Sequence, residues 1–105
     1  MPYLDTNAII SNTKITQYLL VLLPKDDKSQ YLALGGYTLS AWQELERDLR
    51  EQILTLEAIP TTKTRYGQKY EITGQLNAPN GRILPIKTIW MVTDRETKFV
   101  TLFPS

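Results

Sequence analysis

Pro79-Asn80-Gly81-Arg82-Ile83-Leu84-Pro85-Ile86-Lys87-Thr88-Ile89-Trp90-Met91-Val92-Thr93-Asp94-Arg95-Glu96-Thr97-Lys98-Phe99-Val100-Thr101-Leu102-Phe103-Pro104 is the stretch whose reading decides the fold. Its first residues are turn formers. From Arg82 to Thr93, Leu84, Ile86, Thr88, Trp90 and Val92 fall on one side of a strand, and Ile83, Pro85, Lys87, Ile89 and Met91 on the other. Both sides are mostly apolar, which predicts a central strand covered on one face and partly covered on the other. Asp94-Arg95-Glu96-Thr97 turns the chain, and Lys98–Phe103 returns as the last strand. Trp90 and Phe103 are expected in the core.

Working back from this stretch, Asn77 to Gly81 is dense in turn residues. Gln68–Leu76 alternates Tyr70, Ile72 and Leu76 with Lys69, Glu71, Thr73 and Gln75, the pattern of a half-buried strand. Tyr66-Gly67 makes a turn, and an earlier strand runs from about Leu56 to Arg65, interrupted near Pro60. Further back the period becomes helical. Trp42, Leu45, Leu49, Ile53 and Leu56 share a face, Ser40 and Gln43 have capping-box spacing, and Glu44, Arg47, Asp48, Arg50 and Glu51 lie on the solvated side. A first helix is expected from caps among Ser11, Asn12 and Thr13 to about Leu23, with Ile15, Tyr18, Leu19 and Leu22 on its apolar face and Pro24 as its stop. Between these helices, Asp26 and Asp27 can cap a short one, with Tyr31, Leu32 and Leu34 apolar and Gly35-Gly36 at its end. The first dozen residues are an irregular or extended lead-in. The fold class is therefore α+β: about three N-terminal helices followed by a four-stranded antiparallel meander packed on them, with residues 1–105 as a single domain.

The chain contains neither Cys nor His. Disulfides, thiolate chemistry, Cys- or His-ligated metal, and a His general base are thus excluded. No glycine loop of phosphate-binding spacing occurs, and Asp26-Asp27 is better explained by helix capping than by a calcium loop. No apolar run approaches the ~20 residues needed to span a bilayer. The opening Met-Pro-Tyr-Leu-Asp has no basic region before an apolar stretch, so the expectation is a cytoplasmic protein with no signal peptide, no membrane partner, no metal and no cofactor.

Charge is uneven along the chain. Residues 1–60 hold five basic against eight acidic residues, whereas residues 61–105 hold seven basic against three acidic. The basic excess falls on the sheet half, so one sheet face is a candidate anion-binding surface, with ordinary solvated Lys and Arg as the alternative. Lys69, Arg82, Lys87, Tyr66, Tyr70, Thr88 and Thr101 converge if the strands pair in meander order. Lys87 interrupts an apolar alternation. Either it lies on a functional face or it pairs with Glu71 on the neighbouring strand.

The pattern Pro-Asn-Gly-Arg…Lys-Thr-Ile-Trp…Val-Thr-Leu-Phe-Pro at residues 79–104 resembles the "GPNGR…VRTVW…LVTAYP" signature of an uncharacterised bacterial, cyanobacterial-type, domain family. Tyr18-Leu19-Leu20, Leu34-Gly35-Gly36-Tyr37, Trp42…Leu45 and Tyr66-Gly67…Tyr70…Gly74 fit it too, so the resemblance spans most of the chain. That family in turn resembles the barnase/EndoU/colicin/RelE-like ribonuclease fold shared by many bacterial toxins, in which helices precede a four-stranded antiparallel sheet whose open face holds the active site. The resemblance implies catalytic positions at Lys28, Arg82, Lys87 and Thr101, and nucleic-acid contacts at Arg65, Tyr66, Lys69 and Tyr70. Members often carry a His before the residue corresponding to Lys28. Here that stretch reads Leu23-Pro24-Lys25-Asp26-Asp27. Cleavage would then rest on Lys, Arg and Tyr, with cations stabilising charge on the scissile phosphate while a poised group takes the 2′-hydroxyl proton. The expected function is a ribonuclease-toxin-like domain that binds or cleaves RNA through a basic sheet face. The alternative is a catalytically inactive protein-interaction or oligomeric module of the same fold, with a protein partner or a homodimer as its assembly.

Overall fold

A computed structural model describes residues 2–25 and 27–105. Three helical segments precede the sheet. The first, α1, is α-helical over Asn12–Lys14 and widens into π geometry over Ile15–Leu19. The second, α2, spans Ser29–Ala33. The third, α3, spans Trp42–Asp48, entered through a 3₁₀ turn at Leu39–Ala41 and continued by a π segment at Leu49–Ile53. Four strands follow: β1 (Ile59–Thr64), β2 (Gly67–Asn77), β3 (Ile83–Val92) and β4 (Thr97–Pro104). They form one antiparallel sheet in the order β1-β2-β3-β4. The α+β meander expected from the hydrophobic period is the observed architecture.

The register puts Tyr70, Ile72 and Leu76 of β2 beside Trp90, Thr88 and Leu84 of β3, and Leu102 of β4 beside Thr88. This face is covered by the helices, and its side chains join Leu45, Leu49, Ile53 and Leu54 in one core. Gly74 permits the close approach, since a Cβ there would stand 2.6 Å from Leu56 Cδ1 and 3.0 Å from Ile53 Cδ1. At the centre, Trp90 Nε1 donates to Thr88 Oγ1 at 2.7 Å, and Thr88 Oγ1 donates to the Ile72 carbonyl at 3.0 Å. Both polar groups are thereby satisfied in a site fully closed to water.

The helices depart from the α-helical period in one consistent way. In each π segment a backbone bond spans five residues, Leu20 N–H to the Ile15 carbonyl at 3.0 Å and Leu54 N–H to the Leu49 carbonyl at 2.9 Å. One extra residue in a turn rotates everything that follows. Leu20 and Leu54 are therefore buried, whereas Leu22 and Leu56, expected on the apolar faces, are exposed. The π segment of α1 ends at Leu19, well before the expected stop at Pro24. The capping box also fails to form. Ser40 sits inside the 3₁₀ turn, and its hydroxyl meets Thr38 Oγ1 at 3.2 Å. Asp48, assigned to the solvated side, is buried and accepts a 2.7 Å hydrogen bond from the Tyr37 hydroxyl. Burial of Tyr37 itself pushes its phenol well up from the ordinary value, and the Asp48 carboxylate adds to the shift. Leu34 is half exposed rather than part of an apolar side.

The lead-in is better ordered than its composition suggests. Tyr3 bridges Glu57 in antiparallel fashion, Ile9 bridges Lys98 in parallel, and Arg50 Nη1 donates to the Thr6 and Ala8 carbonyls at 2.8 and 2.9 Å. Residues 2–10 thus seal one side of the core, with Leu4, Ala8 and Ile10 buried.

Candidate functional site

Asp27 shapes the approach to α2. Its carboxylate accepts from Leu23 N–H at 3.0 Å, Ser29 Oγ at 2.8 Å and Gln30 N–H at 3.2 Å. These bonds, the one from Ser29 foremost, hold its carboxyl below the ordinary carboxylate value. Asp27 does cap α2, from one residue before the cap position; Asp26 lies outside the described residues. The cap position itself is Lys28. At the far side of α2 the Tyr31 hydroxyl donates to the Pro85 carbonyl at 2.7 Å and ties the helix to β3.

Held this way, Lys28 points inward and is only 5 % exposed. Its ammonium donates to the Tyr18 hydroxyl at 3.1 Å. It also lies 5.4 Å from the centre of the Tyr18 ring and 5.0 Å from that of Phe103, within cation–π range of both. The Tyr18 hydroxyl in turn meets Thr101 Oγ1 at 3.4 Å, either oxygen being able to donate. Lys28 and Thr101, far apart in sequence, are therefore brought together by Tyr18. Among the described residues, the ion pairs join Arg47 to Glu44 and Asp48, Arg50 to Glu46, and Lys87 to Glu71. None of them supplies Lys28 with a carboxylate.

Tyr18 also forms one wall of a groove of about 620 Å³ between α1 and the Lys98–Val100 segment of β4. Ser11, Thr13, Lys14 and Gln17 line the helical side, and the Lys14 ammonium lies 5.7 Å from the Tyr18 ring centre. The lining contains two lysines and no carboxylate. Tyr18 joins the two places: Lys14 and Lys98 line the groove, and Lys28, buried, reaches Tyr18 from beyond it. The sequence puts Tyr18 on the apolar face of the first helix and assigns no role to Lys14 or Lys98. The signal available was the pairing of Lys14 and Tyr18 at a four-residue spacing, with Thr101 as a link to the sheet half.

The remaining candidates are distributed otherwise. On the sheet face turned away from the helices, Lys87 and Phe103 are cross-strand partners, as are Ile89 and Thr101. Phe103, expected in the core, stands on this face and is 43 % exposed, because a register shift between Ile89 and Trp90 gives its inward place to Leu102. Lys87 pairs with Glu71 at 3.5 Å, so of its two expected readings the cross-strand pair is the one realised. Lys69 shares this face, while Tyr70 lies on the opposite one, packed against the core. Thr88 is likewise on the core side. Arg82 is exposed just before β3, its backbone N–H held by Asn80 Oδ1 at 3.0 Å, and is not drawn to the Lys28 cluster. Arg65 and Tyr66 occupy the β1–β2 turn, where the Arg65 guanidinium donates to the Tyr66 hydroxyl at 2.9 Å and lies 5.0 Å from its ring centre.

Among the described residues no helix is long and apolar enough to cross a membrane, and no group of carboxylates is arranged to hold a metal ion. A family described as "Domain of unknown function (DUF6883)" has a model that matches residues 4–105, a span that includes every helix and strand given above. No curated protein and no solved structure matches the chain.

Proposed function

The chain belongs to the DUF6883 family, and from the geometry of its sheet edge we propose that it binds single-stranded RNA by the phosphates, on a scaffold of the barnase/EndoU/colicin/RelE type. The observation that carries this reading is Lys28. An ammonium 5 % exposed, held by a hydroxyl and two aromatic rings, has lost most of its hydration without gaining a carboxylate among the described residues. Such burial is unfavourable by several kcal/mol unless an anion joins it. A phosphate at the β4 edge supplies that anion, and Lys14 and Lys98 of the groove continue the contacts along a phosphodiester chain. The bacterial toxin resemblance supports RNA over other polyanions. Lys87 plays a smaller part than its position suggests, because Glu71 neutralises it.

If cleavage follows binding, the 2′-oxygen attacks phosphorus, a P–O2′ bond forms and the P–O5′ bond breaks. The 2′-hydroxyl proton passes to solvent water, the Tyr18 hydroxyl, resupplied by the Lys28 ammonium, is the candidate to protonate the leaving 5′-oxygen, and Lys28 stabilises the charge on the phosphoryl oxygens. Arg82 stays a peripheral contact and Thr101 a positioning residue that holds Tyr18. The test is binding of a short oligoribonucleotide to the wild type, Lys28→Met and Lys28→Arg, with the products resolved on a gel. Loss of binding in Lys28→Met with partial retention in Lys28→Arg supports the reading; equal binding by all three overturns it.

A second reading rests on a different observation. The outer sheet face carries exposed Ile59 and Phe103, with Ile83 exposed beside the turn, and its charged pair is already neutralised. Such a surface suits a catalytically inactive protein-interaction or homodimeric module. Sedimentation at high protein concentration, without RNA, tests it: a monomer throughout speaks against self-association.

A further inference from the structure

The strands end in two neighbouring turns, and between them lies a second cleft, of about 510 Å³. Lys63, Arg65, Tyr66, Gln68, Thr93 and Arg95 are among the residues that line it, with Asp94 as its carboxylate. The walls are stiff. Thr64 Oγ1 accepts from Tyr66 N–H at 3.1 Å and donates to the Gly67 carbonyl at 3.2 Å. Thr93 Oγ1 accepts from the N–H groups of Arg95 and Glu96, both at 3.2 Å. Gly67, at φ 155°, lies so close to the Val92 carbonyl that a Cβ would collide with it, which locks one turn against the other.

Tyr66 stands at the rim of this cleft with 67 % of its surface exposed. Arg65 donates a hydrogen bond to its hydroxyl and lies against its ring. A solvent-exposed aromatic ring beside three cations is the arrangement that receives a planar base and its phosphate together. The cleft also lies on the line of the first site. Along β4 the Lys28 cluster sits at Thr101 and Phe103, the groove at Lys98–Val100, and the β3–β4 turn follows beyond Thr97. From Lys87, the cross-strand partner of Phe103, to Thr93 the strand rises roughly 20 Å, at about 3.3 Å per residue.

We infer that the cleft between the two turns is a nucleotide subsite, in which Tyr66 stacks on a base and Lys63, Arg65 and Arg95 contact its phosphate. It takes a nucleotide of the same RNA strand whose backbone passes Lys28, and so rests on the RNA reading given above. A free mononucleotide presents the same chemistry, and the experiment separates the two sources.

The experiment follows backbone amide resonances of the full chain during titration with adenosine monophosphate and, separately, with a short oligoadenylate. Affinities for the oligomer are measured on the wild type, Tyr66→Ala, Tyr66→Phe and Lys28→Met. The expected result is a shift of Gln68 and Thr93 with either ligand, oligomer binding about tenfold weaker or more in Tyr66→Ala, and near-wild-type binding in Tyr66→Phe, which keeps the ring. If the oligomer binds Tyr66→Ala as well as wild type but is lost by Lys28→Met, the subsite is wrong and the RNA reading stands. Shifts with the mononucleotide alone, and no oligomer binding at low salt, leave a nucleotide cleft and overturn the RNA reading. No shifts with either ligand overturn both.

Discussion

The Lys28 ammonium donates a 3.1 Å hydrogen bond to the hydroxyl of Tyr18, ten residues earlier and on a different helix. The pair exists because two local features cooperate. Asp27 fastens the segment that delivers Lys28, and the π segment of α1 sets the direction of Tyr18 toward β4. π segments inside helices are uncommon and cluster at functional sites. Here one of the two carries the side chain on which the candidate site is assembled.

Replacing Lys28 separates stability from binding. A buried charge exchanged for an apolar side chain of similar length is often neutral or stabilising. Lys28→Met is therefore expected to melt at or above the wild-type temperature while binding RNA about tenfold more weakly or worse, the order expected for losing a hydrogen bond to a charged group. Thermal melts and anisotropy titrations on the same preparation check both halves.

Thr88→Val preserves shape and removes one oxygen. The Trp90 indole N–H then loses its acceptor in a site closed to water. We expect destabilisation of about 1–3 kcal/mol, the range for an unsatisfied buried donor, measured by urea denaturation with an unchanged m-value.

Tyr37 and Asp48 give an alkaline signature. The Tyr37 phenol is held above its ordinary value, first by burial and then by Asp48. Its contribution is fully present below the unfolded phenol's value near 10 and declines as pH rises beyond it, since only the unfolded chain ionises there readily. Tyr37→Phe should lower stability by about 1–3 kcal/mol at neutral pH, because Asp48 stays buried without its donor. It should also flatten the loss above pH ~10, read from denaturation at several pH values.

Asp27 gives the opposite sign. Its carboxyl is held below the ordinary value, chiefly by the Ser29 hydroxyl. The stability it contributes is present above the unfolded value of 3.8 and is lost as pH falls through the lower folded one. Asp27→Ala should therefore be less stable than wild type at neutral pH and converge with it in acid. It should also loosen Lys28, seen as faster amide exchange at Ser29 and Gln30.

Most of the fold was legible because alternation over four strands has one economical solution: Trp90 and Ile72 must face in, Glu71 and Lys87 must face out, and short turns force neighbours to pair. The helix faces were less so. Periodicity assumes 3.6 residues per turn, and nothing in the composition of Ile15–Leu19 or Leu49–Ile53 announces the extra residue that buries Leu20 and Leu54 and exposes Leu22 and Leu56. The inversion of Phe103 has a similar source, since a one-residue register shift moves side chains to the other face. For the site, the strand residues could be assigned to faces, but the helix residues that reach the β4 edge depend on tertiary packing. Tyr18 shares the helical spacing of Ile15 and Leu19 and packs partly against the core; its hydroxyl end is what joins Lys28 to Thr101.

The central claim is that Lys28 awaits a phosphate. The most direct measurement is the affinity of the wild type and Lys28→Met for a short single-stranded RNA between about 50 and about 200 mM salt. If Lys28, Lys14 and Lys98 each meet a phosphate, wild-type affinity falls with a log–log slope of about −2, nearer about −3 when the Tyr66 cleft takes a fourth, and removing Lys28 weakens binding and makes the slope shallower by about 0.7. Binding by the wild type that is insensitive to salt, or identical in Lys28→Met, would contradict the claim.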